Sequence, residues 1–165
     1  MRSKILSLGA FLSAAIIFTS LALSGEIKYF LPFDIKYQTL SKSTQQQVDC
    51  LAQNIYYEAG YETHEGKVAV AMVTLNRLAS GNYANDVCGV VKQKTNGICQ
   101  FSWVCNPPAP VRYVSDRWTE SLEVATEVMY NGLRLPSDSM AEALYFHNTS
   151  VRPHWGLERV AKIGN

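Results

Sequence analysis

Residues 51–79, LAQNIYYEAGYETHEGKVAVAMVTLNRLA, decide the fold, because they predict one amphipathic helix, a short break and a nearly all-apolar second helix. Before the break, apolar residues recur at helical spacing and therefore line one face; they are Val48, Leu51, Ala52, Ile55 and Ala59. After the break, the sequence is apolar on nearly every side through Val73, so we expect the second helix to be central and buried. The break carries Gly60 and Gly66 together with three carboxylates, which are Glu58, Glu62 and Glu65.

Glu58 occupies a position from which a carboxylate can act as an acid. It comes seven residues after Leu51 and three after Ile55, which places it at the edge of the apolar face. Burial and the negative end of the helix dipole both disfavour its charged form. The resulting rise in pKa suits a general acid near neutral pH. The spacing alone equally allows the alternative, an exposed carboxylate at a fraying helix end.

The surrounding stretch, YYEAGYETHEGKVAVAMVTLNR at positions 56–77, contains an E-A-x-x-E run, an E-G pair and an apolar helix ending in N-R. These features resemble the signature of the SleB-type cell-wall hydrolases, a family of spore-cortex-lytic and lytic-transglycosylase-like proteins. Three later blocks also resemble that family: DVCGVV, CQFSWVC, and YFH followed by P-x-W. The resemblance extends from about Cys50 to Asn165, and several blocks in the same order make it specific. Many members continue past I-G-N with a His and an aromatic pair, and we expect that contribution to be missing here.

The resemblance implies an α+β, mainly α, single domain that is lysozyme-like or lytic-transglycosylase-like and has a small β element. It also implies cleavage of the peptidoglycan glycan strand at the β-1,4 bond between N-acetylmuramic acid and N-acetylglucosamine, with Glu58 as the catalytic residue. Most glycosidases use two carboxylates. Lytic transglycosylases manage with one, because the C6 hydroxyl of the muramic acid attacks its own C1. Lytic transglycosylase chemistry is therefore preferred, and muramidase-type hydrolysis is the alternative.

Five further residues are predicted to bind the substrate. Glu62 follows Glu58 by four residues, but the break at Gly60 leaves their relative placement open. Gln100 and Phe101 offer an amide and an aromatic ring beside Cys99, which suits gripping a sugar chain. Tyr145 and His147 are two apart in a predicted strand, so they share a face, and they match the family's Y-x-H-like position. The competing interpretation of Phe101 and His147 is purely structural packing.

Asn76 and Arg77 place polar groups at the end of the apolar helix, close to the core. Their side chains either cap the helix end locally or form a hydrogen bond to another segment or to the substrate. The sequence does not distinguish these two interpretations.

The first 24 residues differ in kind from the rest. Arg2 and Lys4 give a basic start, and an uncharged stretch of mostly apolar and small residues follows. This pattern is typical of a secretory signal peptide, and the stretch is also about as long as the roughly 20 residues that span a bilayer. We predict that residues 1–24 are a signal peptide or an N-terminal membrane anchor, and a buried helix is the alternative. A signal peptide or an anchor would place the protein in the periplasm, in the cell envelope or on the membrane facing the wall.

Residues 25–42 show no clear period and are predicted to form a tether, whose aromatic residues contact either the domain or the membrane interface. The catalytic domain is predicted to span residues 43–165, with Ser43 and Gln46 as the capping box of its first helix and Thr63 as the N-cap of its second. Two more helices are predicted at about 86–93 and 115–130. A small strand or hairpin is predicted within CQFSWVC, and a strand at 143–148.

The four cysteines, Cys50, Cys88, Cys99 and Cys105, predict disulfides, because an even number in an exported chain is typical of oxidised pairs. Four cysteines allow three pairings, which the sequence does not distinguish. A cysteine zinc site is the alternative, but no C-x-x-C spacing occurs.

Composition and motifs narrow the remaining classes of function. The formal net charge of +1 gives no electrostatic footprint for nucleic acid. The three histidines include no H-E-x-x-H frame, so a metal-dependent amidase or peptidase is disfavoured. Neither a metal nor another cofactor is predicted. The expected partners are peptidoglycan and, if the N-terminal segment is uncleaved, the membrane. A non-catalytic wall-binding protein is the rival from outside the enzymes.

Overall fold

The computed structural model describes residues 34–113, 115–136 and 140–163. The predicted signal or anchor at 1–24 and residues 25–33 of the predicted tether lie outside these residues. In the described part, a 3-10 turn at Tyr37–Thr39 precedes five α-helices and one two-stranded sheet, which are α1 Lys42–Ala59, α2 His64–Ala79, α3 Val87–Lys92, β1 Lys94–Thr95, β2 Ile98–Cys99, α4 Ser102–Cys105 and α5 Asp116–Tyr130. The predicted α+β, mainly α class with a small β element is confirmed. None of the helices described is long and apolar enough to cross a membrane.

The core lies where α1, α2 and α5 meet, with α3 packed against α1 and α2. Helices α1 and α5 bury apolar residues at helical spacing, since Leu51 and Ile55 of α1 and Val128 of α5 are fully buried. Helix α2 is buried at Lys67 and Val68 and at every residue from Val70 to Thr74, so its predicted central position is confirmed.

Buried polar groups join α1 to α2 and to the segment after the hairpin. Asn54 is fully buried, and its Nδ2 donates a hydrogen bond to Thr74 Oγ1 at 3.1 Å. Its Oδ1 accepts one from Trp103 Nε1 at 3.0 Å. Because a buried amide is costly unless it is hydrogen-bonded, these bonds fix the relative positions of α1, α2 and Trp103.

Side-chain caps set the starts of the helices. Thr63 caps α2 as predicted, accepting a hydrogen bond from the backbone N–H of Gly66. The predicted capping box at Ser43 is wrong, because Ser41 caps α1 by accepting a hydrogen bond from the Thr44 N–H. The preceding 3-10 turn explains the difference: Gln45 Nε2 donates to the Tyr37 carbonyl, which holds the chain entering α1 two residues earlier.

The described end of the predicted tether packs on the domain. Tyr37 donates its hydroxyl proton to Asp49 Oδ1 at 2.8 Å, and the Ile35 N–H donates to Asn131 Oδ1 at 3.0 Å. Of the tether's aromatic residues, Tyr37 thus contacts the domain, and the others lie outside the described residues.

The β hairpin lies just before the predicted place. Lys94 pairs with Cys99, and Thr95 with Ile98, in antiparallel register. Asn96 and Gly97 between them both have positive φ, as a two-residue hairpin turn requires. The prediction of a strand through CQFSWVC is wrong beyond Cys99, because Ser102–Cys105 forms one helical turn instead.

The strand predicted at 143–148 is wrong, because that stretch pairs with no strand among the described residues. Side chains at the end of α2 hold its backbone instead. Asn76 Nδ2 donates to the carbonyls of Met140 and Ala143 at 2.9 and 3.0 Å, and Arg77 Nε donates to the Leu144 carbonyl at 2.8 Å. Asn76 and Arg77 therefore bind a distant segment rather than capping their own helix.

Two disulfides join the cysteines in pairs. Cys50 of α1 is bonded to Cys88 of α3, and Cys99 of β2 to Cys105 of α4. The first pair is 38 residues apart in sequence and the second only 6. The Cys50–Cys88 bond therefore closes the longer loop and ties a peripheral helix to the core helix.

Candidate functional site

Glu58 is the penultimate residue of α1, which ends at Ala59 with Gly60 as its C-cap. Its side chain is partly buried, as its place at the edge of the apolar face predicts. Burial raises the pKa of the carboxyl group above its ordinary value, and the nearby Arg77 charge partly opposes that rise. Glu58 is therefore a carboxyl group that holds its proton to a higher pH than an exposed glutamate does.

Arg77, near the end of α2, is the charged partner of Glu58. Its guanidinium carbon lies 5.0 Å from the ring centroid of Phe101, 5.5 Å from that of Tyr83 and 5.9 Å from that of Tyr145. We call these four residues the arginine cluster. Ring faces attract a cation at such distances, so the three rings help to keep a charged group in a largely buried place.

One nitrogen of Arg77 has unused hydrogen-bonding capacity. Nε binds the Leu144 carbonyl, but Nη1 is buried and finds no acceptor among the described residues. Burial lowers the pKa of Arg77, and the Glu58 charge acts in the opposite direction. A guanidinium group has only donors, so the cluster can stabilise an ionised Glu58 or a substrate oxygen beside it.

The surroundings of Glu65 shift its pKa in the opposite direction from that of Glu58. Its pKa is lowered, first by a hydrogen bond from its own backbone N–H and then by the Thr63 hydroxyl. Glu65 lies in the first turn of α2, where the positive end of the dipole also favours the anion. Two carboxyl groups whose surroundings push their pKa values apart suit different tasks, and only Glu58 suits proton donation.

A separate cavity of about 460 Å³ lies beside Glu65 rather than Glu58. Its lining is mostly apolar and includes Thr63, Leu135, Met140 and Ile163. We place the candidate chemistry at Glu58 despite this cavity, because the pKa of Glu65 is lowered, which favours its anion, whereas burial raises the pKa of Glu58.

The structure brings two of the predicted binding residues, Phe101 and Tyr145, into the arginine cluster. Phe101 is buried and also stacks on Phe146 with centroids 6.4 Å apart. Tyr145 and His147 share a side, as predicted, because both rings lie against Trp155. Their ring centroids are 5.8 and 5.6 Å from that of the indole. The stretch that carries these two rings forms no strand.

Glu62 and Gln100 do not belong to the arginine cluster. Glu62 is exposed in the turn between α1 and α2, where its carbonyl accepts a hydrogen bond from Lys67 Nζ at 3.0 Å. Gln100 is half-buried at the end of the hairpin, and its N–H donates to the Gln93 carbonyl. Among the described residues, no hydrogen bond or ion pair joins either side chain to Arg77.

Comparison with known proteins identifies the family. The family model described as Cell Wall Hydrolase matches residues 61–165. The chain belongs to the cell wall hydrolase family. The matched range starts three residues after Glu58 and includes Arg77, Tyr83, Phe101 and Tyr145. The predicted resemblance to SleB-type proteins is confirmed at the level of the family.

Two curated relatives support membership of the cell wall hydrolases. The spore cortex-lytic enzyme of Bacillus subtilis is 32% identical over 126 residues, covering 73% of this chain and 36% of the relative. The spore cortex-lytic enzyme of Oceanobacillus iheyensis is 29% identical over 126 residues, covering 73% of this chain and 40% of the relative. The chain thus spans 36% and 40% of the length of these relatives. No solved structure is significantly similar to it.

For two members of the arginine cluster, sequence reasoning does not predict the role that the structure gives them. The sequence interprets Arg77 as a cap or a hydrogen-bond donor, although a charge directly at the end of an apolar helix also indicates a buried cation that needs partners. Tyr83 lies in a loop, SGNYAN, with no periodic pattern. No sequence signal in that loop distinguishes Tyr83 from an ordinary surface tyrosine.

Proposed function

We propose that this protein cleaves the glycan strand of peptidoglycan, with Glu58 as the catalytic acid and then the base. The observation that carries the proposal is the partly buried Glu58 carboxyl group, whose pKa burial raises, beside the buried charge of Arg77. Membership of the cell wall hydrolase family supports the wall as the substrate. The spore cortex-lytic relatives support the same class of substrate.

The proposed reaction begins with protonated Glu58. Its proton passes to the bridging oxygen of the β-1,4 bond between N-acetylmuramic acid and N-acetylglucosamine, the C1–O bond breaks, and positive charge develops at C1. Glu58 is left as an anion beside Arg77, whose Nη1 has a hydrogen bond to give. The C6 hydroxyl oxygen of the same sugar then attacks C1 and gives its proton to Glu58, which restores the acid.

We prefer this lytic transglycosylase route to muramidase-type hydrolysis, because it needs one carboxyl group. Glu62 is exposed in the turn after α1, and the pKa of Glu65 is lowered by capping bonds. In the muramidase alternative, a water molecule takes the place of the C6 hydroxyl. Glu62, Gln100, Phe101, Tyr145 and His147 remain proposed substrate-binding residues.

Digestion of purified peptidoglycan with the chain lacking residues 2–24 tests this function. We expect soluble fragments that end in 1,6-anhydro-N-acetylmuramic acid, identified by mass spectrometry. Reducing N-acetylmuramic acid ends would instead support the muramidase alternative. Release of peptides from intact glycan would indicate an amidase, and binding without soluble fragments would indicate a wall-binding protein; either result would contradict glycan cleavage.

The role proposed for residues 1–24 is export, as a signal peptide or an anchor, to the side of the membrane that faces the wall. Deleting residues 2–24 should trap the protein in the cytoplasm without abolishing its activity in vitro, because the arginine cluster lies in the domain. Cell fractionation with the full chain as control checks this expectation. Normal export of the shortened chain would contradict it.

The charge of Arg77 should set the upper pH limit of activity. Arg77 is the charge that lowers the pKa of Glu58. The titratable groups that face Arg77 are Glu58, Tyr83 and Tyr145. In Arg77→Gln the side-chain amide can still donate to the Leu144 carbonyl, but burial then raises the pKa of Glu58 unopposed. Protonated Glu58 should persist to higher pH, so the basic limb of kcat/KM should move upward.

Arg77→Lys is the matched control, because it keeps the charge and should leave that limb nearer to its original position. Circular dichroism verifies that both variants are folded. If the lysine and glutamine variants show the same basic limb, Arg77 does not tune Glu58.

A further inference from the structure

We infer that Trp155, flanked by Tyr145 and His147, forms a platform on which a sugar ring of the glycan strand stacks beside the arginine cluster. We call these three residues the Trp155 platform. The inference rests on the proposed function and adds a binding site for the substrate. The proposed proton transfers themselves involve Glu58 and the groups around it, not Trp155.

The platform presents aromatic surface to solvent. Trp155 is 48% exposed and Tyr145 is 52% exposed, and His147 is also exposed. By contrast, Trp118 is only 6% exposed, in the core. Large half-exposed rings combine apolar area with a polar edge, which is the combination that aromatic residues bring to binding surfaces. A pyranose ring matches it, because its C–H groups lie on a face and its hydroxyl groups project around the edge.

The three rings support one another. The His147 ring stands nearly perpendicular to the indole of Trp155, at 81° and 5.6 Å, and the Tyr145 ring is tilted at 50° and 5.8 Å. Trp155 is therefore held from two directions before any ligand binds. Rigid aromatic side chains lose little conformational entropy on binding, so such a platform suits a ligand that offers few strong contacts.

His147 also provides a polar group at the platform. Its Nδ1 lies 2.8 Å from the Asn148 carbonyl oxygen. Because a carbonyl oxygen only accepts, Nδ1 donates in this hydrogen bond, and Nε2 is the ring nitrogen left for a ligand. A sugar hydroxyl group is a suitable donor to that nitrogen while the ring of the same sugar lies on the indole.

Tyr145 connects the platform to the arginine cluster. Its ring centroid lies 5.8 Å from that of Trp155 and 5.9 Å from the Arg77 guanidinium carbon. Arg77 in turn interacts electrostatically with Glu58. A glycan strand that binds at Trp155 therefore lies along a continuous set of side chains that leads to the proposed acid. This arrangement favours glycan over an unrelated partner.

A binding experiment that involves no cleavage tests the platform. The Glu58→Gln chain is titrated with a soluble tetrasaccharide of alternating N-acetylglucosamine and N-acetylmuramic acid. Adding Trp155→Ala should raise Kd at least about tenfold, as expected for a large aromatic anchor, and Trp155→Phe should have a smaller effect. Leu157→Ala, 59% exposed in the same segment, and Tyr113→Ala, an exposed tyrosine that contacts Trp118, are the controls and should leave Kd unchanged.

Tryptophan fluorescence gives a second readout. Of the three tryptophans, Trp118 is buried and Trp103 is partly buried, so a soluble quencher such as acrylamide should act mainly on Trp155. Bound tetrasaccharide should protect against quenching in the Glu58→Gln chain, and Trp155→Phe should remove that protection.

An unchanged Kd in Trp155→Ala would overturn the inference, as would a Glu58→Gln chain that binds no tetrasaccharide. Neither result would affect the proposed function if the parent chain still solubilises peptidoglycan. Conversely, Trp155-dependent binding by a parent chain that releases no fragments would keep the platform and reject the cleavage.

Discussion

Replacing Glu58 with glutamine should lower the rate of peptidoglycan solubilisation at least about a hundredfold, since general acid–base groups typically contribute about 10²–10⁴-fold. Glutamine preserves the size of the side chain and can still form hydrogen bonds, but it cannot deliver a proton to the leaving oxygen. Release of soluble fragments from purified peptidoglycan measures the effect, and circular dichroism verifies that the variant is folded.

The same substitution should not destabilise the protein at neutral pH. Burial raises the pKa of Glu58 in the folded state above its unfolded value. The stability that this group contributes is therefore fully present below the unfolded pKa and is lost as the pH rises through the folded pKa. Glu58→Gln should match the parent's melting temperature at acid pH and equal or exceed it at neutral pH. A loss of activity with a large fall in melting temperature would point to a structural role instead.

Glu65→Gln and Glu62→Gln are the matched controls for Glu58→Gln. Glu65 is an exposed residue of the first turn of α2 with a lowered pKa, so Glu65→Gln should lose little activity. Glu62 is exposed in the adjoining turn and is proposed to bind substrate, so its replacement should have an intermediate effect. A nearly normal Glu58→Gln together with an inactive Glu62→Gln would show that Glu62 is the acid.

Removing the Cys50–Cys88 disulfide should cause the largest loss of stability. In the chain-entropy estimate, a cross-link between residues 38 apart contributes about 4 kcal/mol to the free energy of unfolding, and one between residues 6 apart contributes about 2 kcal/mol. Cys50→Ala with Cys88→Ala should therefore cost more than Cys99→Ala with Cys105→Ala. Urea unfolding under non-reducing conditions measures both losses.

Mass mapping of the parent chain, purified from an oxidising compartment, accompanies that measurement. It should find no free thiol and the two pairs Cys50–Cys88 and Cys99–Cys105. Four free thiols in stable, active protein would reject the disulfides. A greater loss of stability from the Cys99–Cys105 pair would contradict the argument from loop length.

Much of the fold followed from local patterns along the chain. Apolar spacing located α1, α2 and α5, and Thr63 marked the start of α2, because a helix periodicity and a cap involve residues only a few positions apart. The edge position of Glu58 followed from the same spacing. Local patterns were insufficient at 143–148, where the sequence predicts a strand but the hydrogen-bond partners are the distant side chains of Asn76 and Arg77.

The sequence by itself determined the helices α1, α2, α3 and α5, the candidate acid and, through several blocks in order, the resemblance to a family. Only the tertiary structure brought Tyr83, Phe101 and Tyr145 around Arg77, placed that charge near Glu58, and chose one of three cysteine pairings. The physical reason is that these contacts join residues far apart in the chain. They depend on how the helices pack together, and packing leaves no periodic trace in the sequence of any one segment.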